Sequence, residues 1–145
     1  MPSIKTTVDI HASAEVVWRV LTDFPEYGKW HPLFASLQGK LSVGKRLKLR
    51  ARDKQKRDHQ FTPLVVKVVP AAELRWRRWR LLEGVFDREQ IFLIVPNGVK
   101  GVRFVQREKF SGLLVSLLMP IVAKKTLKAI MLVNLAIKRA AEVKR

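Results

Sequence analysis

Hydrophobic and polar positions alternate at the start of the chain and then change period. The alternating residues are Ile4, Thr6, Val8 and Ile10 on one side and Lys5, Thr7 and Asp9 on the other. This pattern is typical of a strand with one buried face. Ser13 then precedes apolar residues at helical spacing, which predicts an N-cap at Ser13 with Glu15 in the first turn of a helix. The residue before a proline avoids helical angles, so Pro25 is expected to end this helix.

Alternation returns further along the chain, where basic residues take every second position. Arg46, Lys48, Arg50 and Arg52 alternate with Leu47, Leu49 and Ala51. The pattern predicts a strand with one basic and one apolar face. Further strands are predicted at 61–69, 74–81, 85–95 and 102–110, with turns at Pro70 and at Asn97-Gly98.

From Leu113 onward the period becomes helical. One stripe is formed by Leu127, Ile130, Met131, Asn134, Ile137 and Ala141. It predicts a long amphipathic helix whose stripe faces the core, and Pro120 should kink or split the helix near its start. The order of elements predicts an α+β fold, in which a curved antiparallel sheet of about seven strands needs the final helix to cover its apolar face.

Length and composition limit the possible classes of protein. With 145 residues, of which 48% are hydrophobic, the chain is expected to form a single domain over residues 1–145 with a core or a cavity. It contains no cysteine, which excludes disulfides and thiolate chemistry. His11, His31 and His59 lack the spacing of a metal motif, so we expect no metal site and no cofactor.

The apolar runs bear on where the protein is found. The N-terminal residues lack an apolar run after the single Lys5, so no secretory signal is predicted. The longest apolar run, at 113–123, is about half the length that spans a bilayer. We therefore expect a cytoplasmic protein. The run at 113–123 could pack in the core, line a cavity entrance or rest against a bilayer.

Four segments of the chain resemble a known superfamily. They are "IHASAEVVWRVLTDFPEYGKWHPLF" at 10–34, "FTPLVVKVVPAAELRW" at 61–76, "VRFVQREKFSGLL" at 102–114 and "NLAIKRAAE" at 134–142. In order and spacing they resemble the START-like (SRPBCC) superfamily, and most closely its polyketide cyclase/dehydrase branch. The resemblance implies the helix-grip fold, in which the sheet wraps the C-terminal helix around a cavity. Many relatives carry Asn where this chain has His31, so the resemblance favours a structural or surface role for His31 over a catalytic one.

Strand alternation then indicates which side chains would face such a cavity. We predict as ligand-cavity residues Trp76, Phe86, Arg88, Gln90, Phe92, Phe104, Gln106, Glu108, Met131 and Asn134. A three-residue loop around Asn97-Gly98 would place Arg88 opposite Glu108 and Gln90 opposite Gln106. An odd loop length is required for the two apolar faces to coincide. An apolar lining with a few polar groups suits a ligand, but a self-satisfied Arg–Glu pair is an equal alternative.

The resulting hypothesis is the binding of a small hydrophobic or amphipathic ligand, such as a lipid, a polyketide or a quinone-like molecule. An alternative is a cyclase/dehydrase-type enzyme with Glu108 as general base. No second acid–base group is evident beside Glu108, which favours binding, although enzymatic activity is left open.

The net charge of +17 suggests a further partner. Basic residues expected on the outer sheet face are Arg46, Lys48, Arg50, Arg52, Arg75, Arg77, Arg103 and Arg107. Such a face could bind an anionic membrane surface or simply be solvated. Nucleic acid is disfavoured, because Trp79 is the only tempting stacking platform near these charges.

Overall fold

A computed structural model describes residues 2–52, 59–80, 84–99 and 101–144. The strands are β1 (Ser3–Ile10), β2 (Phe34–Gln38), β3 (Lys48–Ala51), β4 (His59–Phe61), β5 (Leu64–Val69), β6 (Glu73–Arg80), β7 (Phe86–Pro96) and β8 (Val102–Ser111). The helices are α1 (Ala14–Thr22), α2 (Tyr27–Trp30) and α3 (Val115–Lys144), with a 3₁₀ turn at Phe24–Glu26. The predicted α+β class, with a long C-terminal helix against a curved antiparallel sheet, is confirmed.

The strands form two antiparallel sheets. One has the order β1-β8-β7-β6-β5, and the other has the order β2-β3-β4. An isolated bridge between Arg46 and Leu64 links them. The described residues form eight strands, against the predicted count of about seven, because the predicted strand at 61–69 is divided. Pro63 has no N–H to donate to a ladder, so β4 pairs with β3 while β5 pairs with β6.

The first helix follows the sequence prediction. The Ser13 side chain accepts a hydrogen bond from the Val16 amide at 3.2 Å, which satisfies one of the free N–H groups of the first turn. Val17, Val20 and Leu21 face the core from α1. The helix ends at Thr22, before the proline of the 3₁₀ turn.

The C-terminal helix departs from the prediction in two respects. It is continuous through Pro120, so of the predicted kink or split the split does not occur; the proline lies in the second turn and removes one intrahelical bond. Its buried stripe consists of Val115, Thr126, Ile130, Val133, Asn134, Ile137 and Ala141. Leu127 and Met131, which were assigned to the buried stripe, are exposed. Apolar residues occur on several sides of α3, so spacing alone did not select the buried side.

A tight turn fixes the start of this helix. Gly112 has φ +122°, and a Cβ at this position would lie 2.5 Å from the carbonyl oxygen of Val85. The amides of Leu113 and Leu114 donate to the carbonyls of Gly84 and Val85, each at 3.0 Å. These bonds hold the start of α3 against the turn before β7. Among the described residues, no helix is both long enough and apolar enough to cross a bilayer.

Candidate ligand-binding site

The register of β7 and β8 determines which side chains meet. Gln90 lies opposite Glu108, Phe92 opposite Gln106, and Arg88 opposite Phe110. The predicted register, which placed Arg88 opposite Glu108 and Gln90 opposite Gln106, is therefore wrong by two positions. Pro96 pairs with Val102, so the connection is longer than the predicted loop. It still has an odd number of residues, and for that reason the two expected faces do coincide.

A cavity of about 240 Å³ lies between these strands and α3. The strands contribute Arg88, Gln90, Phe92, Gln106 and Glu108, all five of which were predicted. The helix contributes Thr126, Ala129, Ile130 and Val133. The remaining lining is His31, Leu33, Phe34, Ala51, Arg52 and Arg78. The cavity therefore has an apolar side on the helix and a charged side on the sheet.

The charged side is a cluster of two arginines and one glutamate. Arg78 on β6 lies directly opposite Arg88 on β7. The Glu108 carboxylate is 3.0 Å from Arg88 Nε and 3.8 Å from Arg78 Nη2, and its side chain is only 4% exposed. Burial lowers the pKa of Arg78 to about 10, so this guanidinium is still charged at neutral pH.

The ion pairs in this cluster are incomplete as hydrogen bonds. The Nε atoms of both arginines and Oε1 of Glu108 are buried without a well-directed partner among the described residues. Each guanidinium also lies over an aromatic ring, Arg78 over Phe61 at 5.5 Å and Arg88 over Phe110 at 5.2 Å. These ring contacts are favourable but leave the Nε–H groups unused. One glutamate serves two arginines, so the cluster keeps an excess positive charge and retains hydrogen-bonding capacity.

An amide network beside the cluster joins the sheet to the helix. Gln106 Nε2 donates to Asn134 Oδ1 at 2.7 Å and to the Ile130 carbonyl at 3.0 Å. Asn134 Nδ2 donates in turn to Thr6 Oγ1 on β1 at 2.7 Å. Arg88 Nη2 donates to Thr126 Oγ1 at 2.6 Å. Because these bonds tie α3 to β1, β7 and β8, they hold the walls of the cavity in place.

His31 has a structural role and also borders the cavity. Its Nδ1 accepts hydrogen bonds from the amides of Leu33 and Phe34, both at 3.1 Å. Its ring stacks on Phe34 with centroids 4.1 Å apart. Burial, assisted by the charge of Arg52, lowers its pKa to about 3. The ring is therefore neutral at neutral pH, with its proton on Nε2 because Nδ1 is an acceptor.

The other predicted cavity residues lie elsewhere. Trp76 and Phe104 are fully buried in the main core, and the Trp76 indole N–H donates to Gln90 Oε1. Phe86 packs in a second cluster with Phe110 and Val115. Asn134 lies behind Gln106, as described above. The assignment of Met131 was wrong, because its side chain is 53% exposed on the solvent side of α3.

Sequence reasoning missed several lining residues. Arg78 could have been found, since it follows Leu74 and Trp76 at alternate positions of β6 and must share their face. The contributions of His31 and Arg52 depend on the packing of the small sheet, which leaves no local signal. Among the described residues, no three His, Asp or Glu side chains are grouped in a way that could hold a metal ion.

Four of the basic residues expected on the outer sheet face, Arg75, Arg77, Arg103 and Arg107, share the outer face of the large sheet. Arg75 and Arg77 pair with Glu89 at 3.9 and 3.6 Å, and Arg103 pairs with Asp9 at 3.2 Å. Exposed Arg107 lies on the same large sheet. Arg46, Lys48 and Arg50 belong to the small sheet or its connection, and Arg52 borders the cavity. The Trp79 side chain lies outside the described part of the chain.

A family model described as "Polyketide cyclase / dehydrase and lipid transport" matches residues 1–140. The chain belongs to this family. The family description supports ligand binding or a cyclase role for its members without deciding between them, and it confirms the START-like resemblance.

Solved structures of this family's fold show the same architecture at low sequence identity. The Zhui aromatase/cyclase from Streptomyces sp. R1128 superposes with a TM-score of 0.78 at 16% identity, over 97% of this chain and 93% of that one. A START superfamily protein from Mycobacterium smegmatis gives 0.68 at 23%, over 98% and 95%.

A third structure contains bound small molecules. Norcoclaurine synthase from Thalictrum flavum, in complex with dopamine and hydroxybenzaldehyde, gives a TM-score of 0.73 at 16% identity, over 99% of this chain and 88% of that one. A search of curated proteins found no match. These identities establish the fold alone.

Proposed function

We propose that the protein binds a small amphipathic molecule in the cavity between β7, β8 and α3. The observation that carries this proposal is the free space beside a buried charged cluster in which both arginine Nε atoms and Oε1 of Glu108 lack a well-directed hydrogen bond among the described residues. The polar end of the ligand would lie beside Arg78 and Arg88, and its apolar part would contact Phe92, Ile130 and Val133. A cavity with an apolar lining and a few polar groups is the usual form of a small-molecule site.

The charge of the lining favours an anionic polar end. Arg52, Arg78 and Arg88 contribute three positive charges and Glu108 one negative charge, which leaves +2 among the described lining residues. Like charges opposite each other in a sheet are unfavourable, and Arg78 faces Arg88. A carboxylate, phenolate or enolate near the two Nε–H groups would compensate this charge and complete the missing hydrogen bonds.

The volume limits the size of the bound part. An apolar cavity of about 150 Å³ holds a benzene ring, so 240 Å³ suits one or two rings or a short alkyl chain. A longer ligand would extend past Arg52, which is exposed at the cavity edge.

The alternative is a reaction of the cyclase or dehydrase type with Glu108 as general base. Glu108 is the only carboxylate among the described lining residues. Arg78 and Arg88 could stabilise an enolate formed beside it. His31 offers no second proton-transfer group near neutral pH, because its pKa of about 3 keeps it unprotonated and its Nδ1 is occupied. Binding without chemistry is therefore the conclusion we favour.

Titration calorimetry with matched probes tests the proposal. The probes are 1-naphthoate and the neutral 1-naphthalenemethanol, which share the same rings. We expect the carboxylate to bind more tightly and Arg88→Met to remove most of that preference. Arg77→Met, on the outer face of the sheet, is the matched control and should leave the preference unchanged. Equal affinities for the two probes in the parent protein would contradict the anionic end.

Native mass spectrometry separates binding from catalysis. A small molecule that co-purifies with the gently isolated protein would support binding. An empty protein that turns over a cyclic ketone or enol, and loses this turnover with Glu108→Gln, would instead support the enzymatic alternative.

A further inference from the structure

The first turns of α3 and the turn that precedes the helix carry large apolar side chains that the fold does not bury. Leu113 is 88% exposed, Leu117 70% and Ile121 67%. Their neighbours on the other side of the helix, Val115 and Leu118, pack against the cluster around Phe86 and Phe110. Core packing therefore explains one side of this segment and leaves the outward side unexplained.

Three exposed lysines follow Ile121 on the outward side of α3. At 100° per residue, Lys125 and Lys128 project within about 40° of Ile121, and Lys124 lies about 60° away. All three are exposed. The sequence of α3 has a single acidic residue, Glu142 in the last turn. The outward side of the helix therefore combines apolar tips with an adjacent basic patch.

We infer that this docking face, formed by Leu113, Leu117, Ile121, Lys124, Lys125 and Lys128, binds the surface of an anionic lipid bilayer. Apolar tips beside lysines are the combination with which interfacial helices bind membranes. The leucines and the isoleucine insert at the level of the headgroups and acyl chains. The lysines contact anionic headgroups in the same layer.

Charge decides between a bilayer and a second copy of the chain as the occupant of this face. Pairing two copies through the docking face would bring the lysines of both copies together, and each chain carries a net charge of +17. Their mutual repulsion disfavours self-association. An anionic bilayer instead offers the complementary charge and an apolar layer at the same place.

The position of the docking face relates it to the cavity. Thr126, Ile130 and Val133 line the cavity from the inner side of the same helix. Because an α-helix with its side chains is about 10–12 Å wide, a bound bilayer would lie about one helix diameter from the cavity. The inference does not depend on which ligand, if any, the cavity holds.

Vesicle co-sedimentation of the full chain tests the inference. The vesicles contain phosphatidylcholine alone or with about one third phosphatidylserine. We expect binding to the mixed vesicles, weakened by salt, and at least about tenfold weaker binding to the neutral ones. Leu117→Glu/Ile121→Glu and, separately, Lys124→Glu/Lys125→Glu/Lys128→Glu should each reduce binding to the mixed vesicles by about tenfold or more.

Matched controls separate this face from the general effect of charge. Lys5→Glu/Lys48→Glu/Arg107→Glu changes the net charge equally at exposed sites on the sheets, and Val43→Glu/Val99→Glu alters exposed apolar residues in loops. We expect these controls to weaken binding by less than about threefold. Melting curves verify that each variant folds.

Three outcomes would overturn the inference. One is a parent protein that binds neither type of vesicle. Another is a loss in the control variants equal to the loss in the docking-face variants. The third is a concentration-dependent dimer, detected by light scattering, that Leu117→Glu/Ile121→Glu dissociates, since this would assign the face to self-association.

Discussion

Replacing Glu108 with alanine removes the only carboxylate that, within the described part of the chain, contacts both Arg78 and Arg88. In the native protein the Glu108 carboxylate is 3.0 Å from Arg88 Nε and 3.8 Å from Arg78 Nη2. The variant leaves two guanidinium groups facing each other across β6 and β7 without a counterion. A smaller side chain at position 108 also enlarges the cavity. Both effects destabilise the folded state.

The size of the effect follows from burial. Breaking a buried ion pair by removing one partner costs about 3–5 kcal/mol. The side chains of Arg78 and Arg88 are 15% and 27% exposed, so water partly solvates them and the lower end of that range applies. Unfolding entropy of about 2.1 cal/mol/K per residue gives roughly 0.3 kcal/mol/K for this chain, so a loss of about 3 kcal/mol lowers Tm by roughly 10 °C.

Urea and thermal unfolding followed by circular dichroism measure this loss. The matched control is Glu89→Ala, on the outer face of the neighbouring strand β7, where Glu89 pairs with Arg75 and Arg77 at 3.9 and 3.6 Å. The Glu89 side chain is 20% exposed, against 4% for Glu108, so water screens its ion pairs more strongly and we expect Glu89→Ala to cost at most about 1 kcal/mol. Equal losses for Glu108→Ala and Glu89→Ala would refute the account of a buried, charge-dependent cluster. Arg88→Met in the Glu108→Ala background should recover part of the loss.

Three further substitutions test the turn regions. In the folded chain His31 has a pKa of about 3, below its usual 6.5. The unfolded chain therefore gains a proton first, and stability falls as pH drops from 6.5 towards 3. Near pH 4.5 this effect lowers the free energy of unfolding of the parent protein by roughly 3 kcal/mol, and His31→Asn should abolish it. Equal acid sensitivity of both proteins in urea titrations would contradict this. Tyr27→Phe removes the donor to the Leu21 carbonyl and should cost about 1–3 kcal/mol by urea unfolding; no loss would contradict a buried bond. Ala71 has φ +61°, so Ala71→Gly should raise stability by up to about 1 kcal/mol, and a lower Tm would count against the strain.

Several features of the molecule could be read directly from the sequence because they depend on local geometry. Alternation identified β1 and the faces of β7 and β8, since successive side chains of a strand point to opposite sides. The odd length of the β7–β8 connection followed from the same rule. Ser13 was recognised as a cap because an N-cap needs only the backbone of its own helix. Five of the cavity-lining residues were found in this way.

The tertiary structure alone decided how these pieces meet. Apolar residues occur on several sides of α3, so contacts with β1 and β8 decided how the helix is rotated about its axis. This rotation leaves Met131 and Leu127 exposed and turns Thr126 inward. A shift of two positions in the register of β7 and β8 keeps the same side chains on the cavity face. The alternation of apolar and polar residues therefore could not reveal it. Arg78, Arg52 and His31 reach the cavity from separate parts of the chain. Such arrangements depend on contacts between residues far apart in sequence. The energies of these contacts cannot be read from a local sequence pattern.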